Sequence, residues 1–198
     1  DLFLVDSGAQ YFDGTTDVTR TIAFKNVTKD QKEMYTRVLK GHIAVAKSKS
    51  SSREKGKNLD KLARMYLKQV NKNFDHGTGH GVGSFLNVHE GPQVISPNGS
   101  VNFKHGMIVS NEPGYYKKNY YGIRIENLIL AKVANNTLKF ETITLTPLEK
   151  QLIDSNLLSR EEIKWINDYH SKVRKHLLPL MSDKQSIWLK EETEKIIH

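Results

Sequence analysis

A chain of 198 residues with 37% apolar and 26% charged side chains is expected to fold around a substantial core, since a domain of this size buries roughly two-thirds of the surface its unfolded chain exposes. It has no cysteine, which excludes disulfides and thiolate zinc sites and makes a cytoplasmic home the default expectation; no apolar run approaches the ~18 residues of a membrane helix. The net charge of +8 comes from lysines scattered through helical segments, without an arginine-rich or aromatic readout pattern, so neither nucleic acid nor membrane is an expected partner.

The chain opens at Asp1 inside an apolar, strand-like run with no methionine and no signal-peptide pattern, and reads as a piece of something longer. Residues 2–7 and 15–24 are apolar and β-branched on either side of Asp13-Gly14, a hairpin signal, and predict an antiparallel pair. Thr28 begins T-K-D-Q, a capping box, and Tyr35, Val38, Leu39, Ile43 and Ala46 follow at helical spacing, predicting an amphipathic helix to about Lys47. The polar stretch KSKSSSREKGK (47–57) reads as a surface loop, and a second helix is expected over 58–70 with Leu59, Leu62, Tyr66 and Val70 on one face. DHGTGHGVG (75–83) carries four glycines in nine residues, at ~1 kcal/mol each in a helix, and must be loop or irregular strand. HGMIVSNE (105–112) and GIRIENLILAKV (122–133) predict two more strands joined through a Pro-Gly turn region, a second hairpin like the first. Beyond Pro147 the tail is helical: Ser159 starts S-R-E-E, another capping box, with Ile163, Ile166, Tyr169, Val173 and Leu177 behind it, and a last helix starts near Ser182.

Asp6 and Asp17 flank the first turn, Glu112 and Glu126 the second, and cross-strand neighbours in a hairpin come within ~5 Å. Asp13 is the turn residue. Taken singly, each of the four reads better as a solvated strand end. As a set they do not, because Asp6 follows LFLV and Glu126 lies within IRIENLIL, where an unpaired charge is costly to bury. Four converging carboxylates repel one another, and a pair of divalent cations is their natural counter-ion. Oxygen-rich ligation with one imidazole suits Mn²⁺, Co²⁺ or Zn²⁺, and a two-metal site serves hydrolysis. His76 and His80 have the spacing of a zinc-binding helix, but Gly-Thr-Gly between them excludes that reading. The glycines instead let backbone and substrate approach His80, with His89 a further polarisable group nearby. His42, His105, His170, His176 and His198 have no such setting.

The stretches DSGAQYFDGTTDVTRT, HGTGHGVGSFLNVHEGP, SNEPGYY and GIRIEN occur in order and resemble the motifs of the aminopeptidase P branch of the pita-bread metallopeptidases. The resemblance is close over roughly 1–133, and the tail resembles the C-terminal extension of the three-domain eukaryotic enzymes. It implies an α+β, creatinase/aminopeptidase-like pita-bread fold of antiparallel sheet with helices, divided into a catalytic domain (1–146, its first part missing) and a helical extension (147–198). It implies two divalent metal ions, usually manganese, held by Asp6, Asp17, His80, Glu112 and Glu126, with Asp17 and Glu126 bridging. The implied reaction is attack of a metal-bridging hydroxide on an Xaa-Pro bond, releasing the N-terminal residue of a peptide. His76 and His89 would position substrate or shuttle protons, and Glu112 would double as proton acceptor. Arg124 would sit behind the ligand carboxylates, and Tyr115 and Tyr116 read as pocket lining or as packing. Proline-containing peptides are the implied substrates and a homodimer the implied assembly; prolidase and a non-catalytic pita-bread binding module are the alternatives. If the two hairpins are halves of a repeat, roughly fifty residues of fold are expected upstream of Asp6.

Overall fold

The computed structural model describes residues 1–84 and 87–197; Phe85 and Leu86, inside the second motif, and His198 lie outside the described residues. Strands β1 (Leu2–Tyr11) and β2 (Gly14–Ala23) pair antiparallel in unbroken register across Phe12 and Asp13. Helix α1 (Lys29–Ala46) starts where the capping box puts it: Gln31 N donates to Thr28 Oγ1 and Thr28 N to Gln31 Oε1. Then come β3 (Lys49–Ser51), α2 (Gly56–Lys68), β4 (Gly79–His80), β5 (Val94–Ile95), β6 (Ile108–Asn111), β7 (Gly114–Lys117), β8 (Tyr121–Arg124), β9 (Asn127–Ala134) and β10 (Thr137–Thr142). The tail holds α3 (Arg160–Leu177) and α4 (Asp183–Glu192), each opened by a capping box at Ser159 and Ser182. A four-stranded antiparallel sheet runs β3-β10-β9-β6, and β1-β2, β4-β5 and β7-β8 form two-stranded ladders.

Several sequence expectations change. Residues 47–57 are not all loop: Lys49–Ser51 adds to the edge of β10, with Ser51 opposite Thr137. So short an edge strand is held by backbone hydrogen bonds and needs no apolar alternation, which is why its composition hid it. The strand expected over 122–133 is interrupted at Ile125-Glu126, that over 105–112 contracts to β6, and β7 occupies the expected turn region. Helix α2 runs Gly56–Lys68, ending short of Val70, and buries Leu59, Ala63 and Leu67, leaving Leu62 and Tyr66 half-buried.

Helix α1 is the spine of the core. Its Tyr35, Leu39 and Ile43 pack with Ile123, Ile125, Leu148, Leu152, Ile166 and Val173, while Val45 near its end joins Leu59, Ala63, Val109, Ile129 and Leu138. Each such side chain contributes about 1.5–3 kcal/mol on full burial. The α1–α2 crossing is a backbone contact, since a Cβ on Gly41 would lie 2.1 Å from Ala63 O.

Two histidines are sealed in this core. His42 Nδ1 donates to Asn111 O at 3.0 Å and its Nε2 accepts from Asn127 Nδ2 at 3.2 Å. His170 Nε2 accepts from Leu148 N at 3.1 Å. Burial, reinforced by the Arg20 charge, holds His42 down to about 3; burial, then Arg174, Lys150 and Arg20, holds His170 down to about 4. Both lie below the unfolded value near 6.5, so on acidification the unfolded chain takes up protons that the folded chain refuses. The contribution of these two histidines to stability is therefore full above about pH 6.5 and falls as the pH drops below it, by up to about 1.4 kcal/mol per pH unit for each histidine, down to about pH 4 for His170 and about pH 3 for His42. Urea unfolding of the wild type and of His170→Gln at about pH 7.5, 6 and 5 checks this: the stability of the wild type relative to the variant should fall on acidification by up to about 1.4 kcal/mol per pH unit, and a difference that does not change with pH would contradict it.

Candidate metal centre

Register decides which side chains meet. Asp6 pairs with Thr19 and Gly8 with Asp17, so Asp6 and Asp17 are diagonal neighbours on one face of the hairpin rather than direct partners. In the second half, Asn111 pairs with Asn127 and Gly114 with Arg124. The two ladders share one register, and Glu112 falls opposite Glu126 at the interruption between them. The halves are joined by β2: Glu126 N donates to Thr19 O at 3.1 Å, and Thr21 Oγ1 bonds both Arg124 O and Arg124 N.

The structure brings six of the residues singled out in the sequence to one place. Ligand-type atoms of Asp6, Asp17 and Glu126 lie within 4.8 Å of one another, as do those of His80, Glu112 and Glu126, and of Asp17, His80 and His89. Asp17, His80 and Glu126 each belong to two of these groups. His80 Nε2 faces Asp17 Oδ2 at 3.4 Å and Glu112 Oε1 at 3.2 Å, while its Nδ1 donates to Gly81 O at 3.0 Å. A carbonyl can only accept, so the neutral ring carries its proton on Nδ1 and turns the Nε2 lone pair to the cluster. Loop and strand meet at backbone distance here, because a Cβ on Gly79 would lie 1.9 Å from Ser110 O. That close approach explains why the His80 segment is glycine-rich.

Around the carboxylates lies a ring of donors. Thr19 Oγ1 donates to Glu126 Oε2 at 2.7 Å and accepts from Arg124 Nε at 3.2 Å; Ser110 Oγ donates to Glu112 Oε1 at 3.0 Å. Arg124 Nη2 donates to Asp6 Oδ2 at 2.6 Å and Nη1 to the Tyr116 hydroxyl at 2.9 Å. His76 stands outside the carboxylate cluster. Its Nδ1 donates to Gly77 O at 2.7 Å, which leaves Nε2 to accept from Tyr116 at 2.8 Å. His89 is exposed, its ring 4.1 Å from that of His80. Tyr115 is buried in the core, so of the two tyrosines only Tyr116 reaches the site.

Sequence reasoning missed Thr19 and Ser110. Each sits two residues from a cluster carboxylate, Thr19 from Asp17 and Ser110 from Glu112, and the alternation of an extended chain was the signal that could have found them.

Glu126 is 1% exposed. Burial, then the charges of Glu112 and Asp17, lift its carboxyl to about 8 against the Thr19 hydrogen bond. Burial pulls the His80 imidazole down, and its bonds to Asp17 and Glu112 more than reverse this, to about 10. Left to itself the cluster gathers protons, as an excess of negative charge without a counter-ion must. Four carboxylates and an imidazole with its lone pair aimed among them fit a pair of divalent cations of the manganese, cobalt or zinc type.

Residues 1–132 match metallopeptidase family M24, and residues 136–196 match the C-terminal region of peptidase M24. The chain belongs to metallopeptidase family M24. It is 46% identical to Xaa-Pro aminopeptidase 1 of Dictyostelium discoideum over 98% of this chain and 33% of that protein, and 44% identical to aminopeptidase P1 of Arabidopsis thaliana over 98% and 32%. The chain thus spans about a third of the length of the curated relatives it matches. Among solved structures, X-prolyl aminopeptidase from Caenorhabditis elegans, described as a cytosolic enzyme with a di-nuclear active site, superposes with a TM-score of 0.93 at 43% identity, over 98% of this chain and 34% of that one. A prolidase from Pyrococcus horikoshii gives 0.66 at 33% identity, over 75% and 41%. The M24 fold of this chain is the expected α+β pita-bread architecture.

An M24 cluster that lacks a counter-ion is strained by its own charge, and a cation that binds the folded state alone stabilises it. Mn²⁺ at a hundred times its dissociation constant should add about 2.7 kcal/mol of stability per site, whereas Ca²⁺, a control for screening, should add much less. Melting of chelator-treated protein with either ion checks this, and a melting temperature indifferent to Mn²⁺ would count against the site.

Proposed function

We propose that this protein is a metal-dependent Xaa-Pro aminopeptidase, which hydrolyses the bond before a proline in second position and releases the N-terminal residue. The observation that carries the reading is the convergence of Asp6, Asp17, His80, Glu112 and Glu126 on one point. Likeness to proteins named Xaa-Pro aminopeptidase across 98% of the chain supports it. Prolidase is the second reading, favoured by the structural likeness to prolidases, but that likeness covers only 75% of the chain for the P. horikoshii enzyme. A non-catalytic binding module has no need of five ligand-type residues around a buried negative cluster.

On this reading Asp6, Asp17, His80, Glu112 and Glu126 would hold the two cations, and Asp17 and Glu126 are the carboxylates that would serve both. Bound there, the cations supply Lewis acidity toward the peptide carbonyl and lower the pKa of a water. Glu112, half-buried beside the cleft, accepts the proton that the attacking water gives up. His89, exposed at the cleft rim lined by Asp6, Asp17 and Val88, orients the peptide or carries a proton to the departing proline nitrogen. His76, its tautomer set by Gly77 O and Tyr116, presents its edge as a positioning group. Arg124 neutralises part of the charge on Asp6.

We infer manganese as the metal from the oxygen-rich donor set, and a cytosolic location from the description of the C. elegans enzyme. A homodimer and proline-containing peptide substrates follow from the family likeness, as does the division into a catalytic part (1–146) and a C-terminal extension (147–198).

The test uses full-length protein with Mn²⁺. Peptides of the form Xaa-Pro-Yaa should lose their first residue, and Glu126→Ala should lose both metals and lower kcat by more than about a hundredfold, the upper range for substitutions one layer further out. Cleavage confined to Xaa-Pro dipeptides would favour prolidase, and retention of two metals by a folded Glu126→Ala protein would remove Glu126 from the site.

A further inference from the structure

Arg20 is 5% exposed on β2, one residue from Thr19 and therefore on the opposite face of the strand from the carboxylate cluster. No carboxylate lies within ion-pair distance of it among the described residues. Its guanidinium is spent on neutral acceptors. Nη1 donates to Thr19 O at 2.8 Å and Glu126 O at 2.5 Å, and Nε to Pro147 O at 2.8 Å. Nη2 is shared among Asn127 Oδ1 at 2.7 Å, Thr146 O at 2.7 Å and the Tyr169 hydroxyl at 3.1 Å. Tyr169, on α3, stacks on Trp165 and donates to Thr146 O at 2.7 Å.

Two of these acceptors bear on the site. Thr19 and Glu126 are the residues whose side chains bond each other inside the cluster at 2.7 Å, and Arg20 grips the backbone carbonyl of both from behind. A second path runs from the same guanidinium through Asn127 to His42, and from His42 Nδ1 to Asn111 O, the carbonyl just before Glu112. One buried cation therefore ties both glutamate-bearing segments to the C-terminal helix α3. A planar fork with five donors can do this and an ammonium cannot.

We propose that Arg20 is a positioning residue for the metal centre and that Tyr169, in the C-terminal helical region, acts through it to fix the backbone from which Glu126 reaches the site. The inference rests on Glu126 being a ligand, as argued above. A carboxylate shared by two cations must be held to within a fraction of an ångström, and partners one layer behind a ligand typically shift metal affinity 10–100-fold when removed.

The experiment uses full-length protein and three variants. Arg20→Lys keeps the charge but cannot span the acceptors, Tyr169→Phe removes one hydroxyl and keeps the stacked ring, and Val173→Ala shortens a buried apolar side chain on the same helix. Affinity for Mn²⁺ is measured by competition with a chelator, and kcat and KM on an Xaa-Pro peptide at saturating Mn²⁺. Arg20→Lys and Tyr169→Phe are expected to weaken Mn²⁺ binding about tenfold or more and to lower kcat with little change in KM. Val173→Ala is expected to lower the melting temperature while leaving Mn²⁺ affinity where it was. Unchanged affinity in Tyr169→Phe, or an equal loss in Val173→Ala, overturns the proposal; Tyr169→Phe decides alone if Arg20→Lys does not fold. A wild-type protein that binds Mn²⁺ but leaves Xaa-Pro peptides intact fails the substrate reading only, and the affinity comparison still stands. One that binds no Mn²⁺ overturns both.

Discussion

The structure is organised around one electrostatic problem, the burial of Glu126 with Asp17, Glu112 and Asp6 close by. An isolated carboxylate at 1% exposure would be neutral or would unfold its surroundings. The fold answers with hydrogen bonds and, on the reading above, with cations. Thr19 donates to the Glu126 carboxylate, Arg124 to Asp6, Ser110 to Glu112, and His80 stands between Asp17 and Glu112. Thr19 shares β2 with Asp17, Ser110 and Arg124 stand two residues before Glu112 and Glu126 near the ends of β6 and β8, and His80 lies on the short β4 pressed against β6. The local cost of assembling like charges is thus offset by the same strands that assemble them.

Backbone geometry makes the assembly possible. A continuous strand over 122–133 would keep Glu126 inside a regular ladder; the interruption at Ile125-Glu126 instead frees the Glu126 amide to bond Thr19 O, which carries β2 across to the second half. Ile125 N still donates to Pro113 O, so the interruption changes partners without losing the register that sets Glu112 opposite Glu126. Antiparallel pairing has a period of two, and a slip of one residue would turn a carboxylate to the far face. The apolar side chains flanking the site, Ile123, Ile125 and Ile129, are fully buried and penalise such a slip.

What could be read from the sequence follows from the same physics. The hairpin turn, the capping boxes at Thr28 and Ser159 and the apolar spacing of α1 and α3 are local signals, and the corresponding elements stand within a few residues of their expected ends. The carboxylates were conspicuous because ionised groups in apolar runs require an explanation. Polar neutral residues give no such contrast. Thr19 and Ser110 look like any strand residues until their partners are known, and β3 borrows its hydrogen bonds from β10, more than eighty residues away. Arg20 was equally silent, since an arginine in a β-branched run reads as one more solvated charge; five of its six acceptors lie more than a hundred residues away in the chain.

Those distant acceptors bear on how the two parts of the chain relate. The C-terminal residues Ile163, Ile166, Tyr169 and Val173 share one apolar cluster with Tyr35, Leu39 and Ile123. Lys40 pairs with Glu162 at 2.5 Å, and Glu149 accepts from Ala23 N while its own amide donates to Tyr35. A segment joined to its neighbour by a common core and by buried hydrogen bonds cannot leave it without opening both. The packing therefore sets no division between the helical region and the strands, and that region is as much a wall of the fold behind the carboxylates as the strands beside them.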